Sequence, residues 1–451
     1  MTDATRAHAG PPPAVAADAD AVDYPPPLTG WLTVAVLFLL YILSLTDRYI
    51  IALMVEPIKA SLGLSDLQMS LLQGPAFALL FCLCAIPAGI ALDRFSRRGV
   101  LFVSVMVWSL AAAACGLAKN FTALFAARAV VGAGESGFGT GAYSIIGDSF
   151  PPQRVGMAMS IFVMGGVMGA GIVFLLGGPL VAAVMRAGDL HLPLLGVLEP
   201  WQQVFLITGL PGVAMAFMVF WFREPGRRAR PAAASIGYGE ALRFLARRRG
   251  LFASIFLGFG AAYAVTIGFQ LWAPSYFMRV HGWEPARTGV ALGLIQIGAA
   301  CSLPLHGWVV DRLFRRGRRD AHLHWCMLTV LLAAPCAIAG FLSGSAWLAC
   351  AGFAAYMTLI MSTASMGPAV VQVVTPQALR GRVSAVYVLT TGLVGMALGP
   401  TLVGWITDRL LADEMRVGDS LVLTVFIVLL PAVLLFAFGR SRMRRALEAG
   451  A

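Results

Sequence analysis

Twelve apolar stretches recur along this 451-residue chain, near 31–54, 67–92, 99–118, 121–147, 155–184, 201–222, 251–278, 288–310, 324–342, 346–374, 383–407 and 420–439. A run of about 20 apolar residues in helical form spans a hydrocarbon core of about 30 Å. Backbone groups in lipid must bond within the protein, and these runs lack strand-like alternation, so each reads as a transmembrane helix. Composition agrees, with 59% hydrophobic and 12% charged residues, where a soluble domain carries about 45–50% and 25%. The fold class expected is therefore an all-α polytopic membrane protein of twelve transmembrane helices. Residues 1–29, rich in proline, alanine and aspartate and without a basic-then-apolar leader, read as a disordered cytoplasmic tail rather than a signal peptide.

Charge placement then sets the orientation. With the amino terminus cytoplasmic, the segments on that side hold 24 of the 33 Lys and Arg residues, the opposite loops seven, and the last two, Arg48 and Arg128, fall inside helices. The net charge of +11 is thus accounted for by topology and contact with anionic lipid, and calls for no nucleic-acid partner. A multi-pass protein of a bacterial inner (plasma) membrane, both termini cytoplasmic, is the localisation expected. The seven cysteines lie in or beside apolar spans with no metal-site or redox spacing.

The chain also repeats itself. "GIALDRFSRR" (89–98) follows the second helix and "GWVVDRLFRR" (307–316) the eighth, while "PQRVGMA" (152–158) and "PQALRGRVSA" (376–385) join helices four to five and ten to eleven. A period of six helices divides the chain into bundles at 30–222 and 251–440, a basic cytoplasmic linker at 223–250, and a tail at 441–451. Two parallel six-helix halves place a substrate cavity at their interface.

These loops resemble the signature of the major facilitator superfamily, and "GMALGPTLVG" (395–404) resembles its G-x-x-x-G-P helix motif. "LTDRYI", "GLSDLQMSLLQ" and "RAVVGAGESGF" are similar to the Spinster-like branch, whose members are implicated in moving sphingolipids and lysolipids. The resemblance implies two pseudo-symmetric bundles and a cytoplasmic gate. In that gate Asp93 and Asp311, with Arg94, Arg97, Arg98, Arg312, Arg315 and Arg316, hold the halves closed in the outward-open state; fixing topology is the alternative role of the arginines. A carboxylate at such a helix end can latch a neighbouring helix start for about 0.3–1 kcal/mol.

Four ionisable side chains interrupt the apolar spans, Asp47, Arg48, Arg128 and Glu135, all in the first half. Each costs about 2.5–3.5 kcal/mol at a helix centre, so such groups face a cavity, pair, and serve function. The first helix runs outward and the fourth inward, which sets Asp47 and Arg128 at similar depth and lets them pair. Glu135 lies two turns beyond Arg128, roughly 10 Å deeper. Burial favours its neutral form and a nearby arginine its charged form. Asp47 and Glu135 are therefore the candidate proton-responsive acids, with Arg48 and Arg128 as partners and candidate binders of an anionic headgroup. A static ion pair joining helices one and four is the alternative.

Enzymatic readings fail for want of motifs. Gly132, Gly134 and Gly137 spell the dinucleotide fingerprint G-x-G-x-x-G but lie inside a membrane helix without the preceding strand. No P-loop precedes either lysine, and "GDSL" at 418–421 stands alone. Neither a metal nor a cofactor is expected. Tyr41, Phe138, Tyr143, Gln270, Trp272, Gln296, His306, Ser362 and Gln372 are candidates to line the cavity, with a core role as the alternative for each. The function expected is a proton-coupled secondary transporter, monomeric, working by alternating access among membrane lipids. Its cargo is a small amphipathic or lipid-like organic molecule. A carrier for a small organic acid or drug-like efflux substrate is the nearest alternative, and an uncoupled lipid scramblase or a membrane receptor the alternative of another class.

Overall fold

The computed structural model describes residues 24–193, 196–226 and 238–448. Among them, eleven helices are long and apolar enough to cross a membrane: α1 (Pro27–Leu53), α2 (Asp66–Arg94), α3 (Arg97–Cys115), α5 (Gln153–Ala187), α6 (Pro200–Trp221), α7 (Arg249–His281), α8 (Pro285–Arg315), α9 (Ala321–Phe341), α10 (Ala346–Val374), α11 (Gln377–Leu411) and α12 (Glu414–Glu448). The twelfth crossing, α4, is two shorter helices in series, Phe121–Glu135 and Phe138–Ser149, so neither piece spans alone. Twelve crossings in two six-helix halves result. Helix α1 begins at Pro27, inside the segment expected to be tail, and the remainder of that tail at 1–23 lies outside the described residues. The linker contains a helix of its own, Tyr238–Arg247.

Local chemistry sets the helix starts. Ser65 and Gln68 form a reciprocal capping box at α2, Ser96 caps α3 and Asn120 caps α4 through side-chain oxygens that accept early backbone N–H groups. Proline occupies the first helical turn of α1, α6 and α8, where its missing N–H costs nothing.

Packing between the halves relies on absent side chains. Lipid gives helices no hydrophobic reason to associate, so close backbone approach supplies the attraction. On α5, Gly171 and Gly178 face Gly293 and Gly289 on α8; a Cβ on Gly178 would lie 2.8 Å from the Gly289 Cα. Within the carboxyl half, a Cβ on Gly268 of α7 would lie 2.9 Å from the Gly399 carbonyl oxygen of α11. The glycines therefore form a seam that joins the halves over the part of the bundle remote from the basic face.

On the basic face each half closes its own end. In the first, Arg97 at the start of α3 pairs with Asp148 of α4 and Glu224 beyond α6. In the second, Asp320 at the start of α9 pairs with Arg440 and Arg444 of α12. At the start of α3 the latch residue is a cation, and at the start of α9 it is an anion. Although burial acts the other way, hydrogen bonds from Ser96 and from Arg97 and Arg98 hold the Glu224 carboxyl below its ordinary value. Arg440 and Arg444 likewise outweigh burial and hold Asp320 low.

Candidate functional site

Helices α1, α2 and α4 enclose the four charges that interrupt the amino-terminal half. Asp47 is 1% exposed, Arg128 0% and Glu135 3%. The pairing differs from the depth argument. Arg128 donates from Nη1 to the backbone carbonyl of Asp47 and from Nε to that of Leu72 (3.4 Å), not to the Asp47 carboxylate. Neither Asp47 carboxylate oxygen has a hydrogen-bond partner among the described residues.

The carboxylate that is paired belongs to Glu135, whose Oε2 accepts from Arg48 Nη2 at 2.6 Å and from Ser44 Oγ at 2.8 Å. Helix geometry explains this. Side chains lean toward the amino terminus of their helix, so on outward-running α1 Arg48 leans inward, down to the level Glu135 reaches two turns beyond Arg128. The Arg48 guanidinium also lies 4.4 Å from the centre of the Phe77 ring on α2, a cation–π contact that suits a desolvated arginine. Glu135 Oε1 and Arg128 Nη2 remain without partners among the described residues. Helix α4 loses its regular turn at Ser136 and Gly137, directly after Glu135.

A second cluster joins the halves on the face opposite the basic one. Asp66, fully buried at the start of α2, takes both arms of Arg279 of α7 (2.6 and 2.7 Å) and the Lys59 ammonium. Arg279 Nε reaches Glu56 at 2.7 Å, and Lys59 also pairs with Glu414 of α12 at 2.7 Å. Asp408 of α11 then accepts from the Asp66 and Leu67 backbone N–H groups, at 3.2 and 2.6 Å. A carboxylate from one half thus caps the positive end of a helix in the other. Tyr49 adds a hydrogen bond across the interface to Gln270 Oε1 at 3.0 Å. With these bonds and the glycine seam in place, this side of the molecule is shut.

Residues 37–400 match the Major Facilitator Superfamily. The chain belongs to that superfamily. It is a multi-pass membrane transporter of organic substrates. An "MFS-type efflux pump" of Mycolicibacterium smegmatis is 26% identical, over 96% of this chain and 98% of that one. "Protein spinster homolog 1" of Xenopus laevis is 24% identical, over 84% of this chain and 73% of that one. Among solved structures, a bacterial homologue of the human lysosomal transporter Spinster, in an inward-facing and unoccupied conformation, superposes with a TM-score of 0.77 at 23% identity, covering 94% of this chain and 98% of that one.

Within this transporter the other expected site residues separate into groups. Tyr41, Phe138 and Tyr143 come together around Phe162 of α5, Tyr41 stacked on it at 5.0 Å and Tyr143 edge-on at 5.3 Å. Gln296 is buried on α8 and Gln372 is exposed, bonded to Ser384 at 3.0 Å. Three others are held by bonds within the carboxyl half. His306 accepts at Nδ1 from Trp325 (3.1 Å) and donates from Nε2 to the Thr358 carbonyl (2.9 Å), so both ring nitrogens are committed inside the carboxyl half. Ser362 is fully buried against Thr329. Trp272 is fully buried and donates to the Pro400 carbonyl at 3.2 Å.

The loop residues Asp93, Arg94, Asp311, Arg312, Arg315 and Arg316 are exposed on the basic face. Arg97 and Arg98 are tied inside their own half, Arg98 through the Phe222 carbonyl at 2.8 Å. An apolar groove of about 750 Å³ opens there between α2 and α3, floored by Ala133, Gly134 and Ser136 of α4.

The inter-half cluster was not anticipated from the sequence. Arg279 and Asp408 fall just beyond the apolar runs, yet α7 and α11 continue through them. One signal was present: "LTDR" at 45–48 recurs as "ITDR" at 406–409.

Proposed function

We propose that this transporter moves an amphipathic, lipid-like organic molecule, a lysolipid, sphingoid-like compound or hydrophobic organic anion, by proton-coupled alternating access. The observation that carries the reading is the buried cluster of Ser44, Asp47, Arg48, Arg128 and Glu135. Charges this deep in a membrane protein are costly unless they are used. A proton arriving at Glu135 neutralises the acid that holds Arg48, and the freed guanidinium can take an anionic headgroup. Arginine keeps its charge throughout, so the acids are the switching partners. Asp47, whose carboxylate has no partner among the described residues, is the second proton site. The rings of Tyr41, Phe138, Tyr143 and Phe162 supply an apolar surface for a tail.

In this reading the cluster of Asp66, Arg279, Lys59 and Asp408 is the outer gate, and Asp93 and Asp311 with their arginines are the cytoplasmic gate that forms when the outer one parts. The functional units are a bundle at 30–222, a cytoplasmic linker at 223–250 and a bundle at 251–440. The protein works as a monomer in a bacterial inner membrane with both termini cytoplasmic. The likeness to Spinster proteins supports a lipid-like cargo. Likeness over nearly the whole chain to an efflux pump supports a second reading, export of a drug-like compound.

Purified protein in liposomes, given a pH gradient and a panel of labelled lysolipids, organic acids and drug-like compounds, tests this. Gradient-driven movement of lysolipids by wild type, lost in Asp47→Asn and Glu135→Gln, is expected. Movement that both variants keep at wild-type level removes the proton role of these acids. Movement indifferent to the gradient favours a scramblase or uniporter.

A further inference from the structure

We propose that the junction of the linker helix, the start of α7 and the end of α12 is a binding site for the phosphate of an anionic phospholipid in the leaflet on the basic face. The site is separate from the transport pathway and does not depend on which cargo is carried.

The linker helix Tyr238–Arg247 passes into α7 through a single residue, Arg248. It lies on the carboxyl half by one face, with Ala241 fully buried and Phe244 edge-on to Phe252 of α7 at 5.4 Å. Its other face exposes Leu242, Arg243 and Arg247. An amphipathic helix of this pattern lies in the plane of the interface, apolar side down and basic side toward headgroups.

The arginines at the junction are held in place. The Arg248 guanidinium sits 5.3 Å from the centre of the Phe244 ring, and that of Arg442 3.3 Å from the centre of Phe438. Arg442 Nη1 also donates to the Phe438 carbonyl at 3.1 Å. A Cβ on Gly250 would lie 2.8 Å from Arg442 Nε, so the glycine is what lets α12 lay this arginine against the start of α7. A guanidinium held against a ring is pre-positioned, and its remaining N–H donors suit contact with a phosphate.

Charge complementarity names the occupant. Arg243, Arg247, Arg248, Arg249, Arg442 and Arg445 meet only Glu240 and Glu448 along the linker helix, the start of α7 and residues 430–448 of α12. None of the six arginines is in an ion pair among the described residues, whereas Arg97, Arg279 and Arg440 all are. The exposed Phe438 and Leu434 of α12 offer lipid chains an apolar flank beside the arginines. Topology alone asks for positive charge on this face. It does not ask for guanidiniums stacked on rings at one junction.

Native mass spectrometry of the full-length transporter, titrated in detergent with phosphatidylglycerol or with phosphatidylcholine of the same chains, reads the site directly. Wild type is expected to prefer phosphatidylglycerol. Arg248→Gln with Arg442→Gln should weaken that binding about thirtyfold, two arginines at about 1 kcal/mol each. Gly250→Val leaves the charge unchanged and crowds only the flexible end of Arg442; it should weaken binding about fivefold, the worth of one displaced arginine. Arg154→Gln with Arg223→Gln removes the same charge from exposed sites elsewhere on this face and should leave binding as in wild type. Equal loss in that distant pair, or wild-type affinity in Gly250→Val, overturns the proposal and leaves only diffuse positive charge.

Discussion

Substituting Arg279 by Gln gives the most direct measure of what holds the two halves together. Arg279 spans the interface with two bonds to the buried Asp66 carboxylate and one to Glu56. Removing one member of a buried ion pair costs about 3–5 kcal/mol, because the partner is left uncompensated. Here Asp66 keeps the Lys59 ammonium, which places the loss at the lower end, about 3 kcal/mol. These bonds exist only while this side is shut, so the loss falls on the closed state alone and moves the equilibrium toward opening roughly 100-fold. The structure supplies its own reporter. The amides of Asp66 and Leu67 donate to Asp408 of the other half, so their hydrogen exchange requires the halves to part. Hydrogen–deuterium exchange on peptides covering 60–70 should therefore show protection falling about 100-fold in the variant, while peptides at the Arg97 latch stay unchanged. Unaltered protection at 66–67, or an equal fall throughout the chain, would refute the assignment of Arg279 to closure.

Three further outcomes follow from named contacts. Gly289→Val points its first carbon at the Phe174 carbonyl and, 2.6 Å away, at the Gly178 Cα; backbone atoms cannot give way, so a loss of about 1–3 kcal/mol and a sharp drop in liposome transport are expected, whereas unchanged transport would show that the seam need not close. His306→Leu orphans the Trp325 N–H, while the Thr358 carbonyl keeps the Ser302 hydroxyl, and should cost about 1–3 kcal/mol, read as a lower melting temperature. Glu224 is held below its ordinary value of 4.5, so its bonds stabilise the protein fully at neutral pH and are lost as pH falls through the acid range below that value. Glu224→Gln should lower thermal stability at pH 7 and flatten its decline below pH 4.5; a decline as steep as that of wild type would count against the latch.

Much of the architecture could be read from residue pattern because lipid imposes a narrow grammar. Each span must be apolar, helical and about 20 residues long, and the repeated "DR" loops announced the two halves. The buried charges were equally conspicuous, since four ionisable residues stand out against uninterrupted apolar sequence. What the pattern could not carry was side-chain direction. Depth alone set Asp47 opposite Arg128, but a guanidinium can as well take a carbonyl, and the lean of Arg48 toward its own helix start delivers it to Glu135. The bonds of Asp66 with Arg279 and Asp408 were hidden for a related reason. Those residues lie where hydropathy ends and helix does not, and the pairs join positions more than 200 residues apart. His306 had two readings in sequence, and neighbours contributed by α9 and α10 decide for the core.

The exchanged signs of the two latches bear on how such a chain assembles. A protein built from two six-helix units must seat each closing helix in its own unit as it enters the membrane. Were α6 to settle in the place of α12, Glu224 would confront Asp320; were α12 to take the place of α6, Arg440 would confront Arg97. Either error sets like charges against each other at the membrane surface, where correct docking sets opposite ones. Opposite charges at the two latches thus give each bundle a terminal segment whose sign suits the helix start it meets.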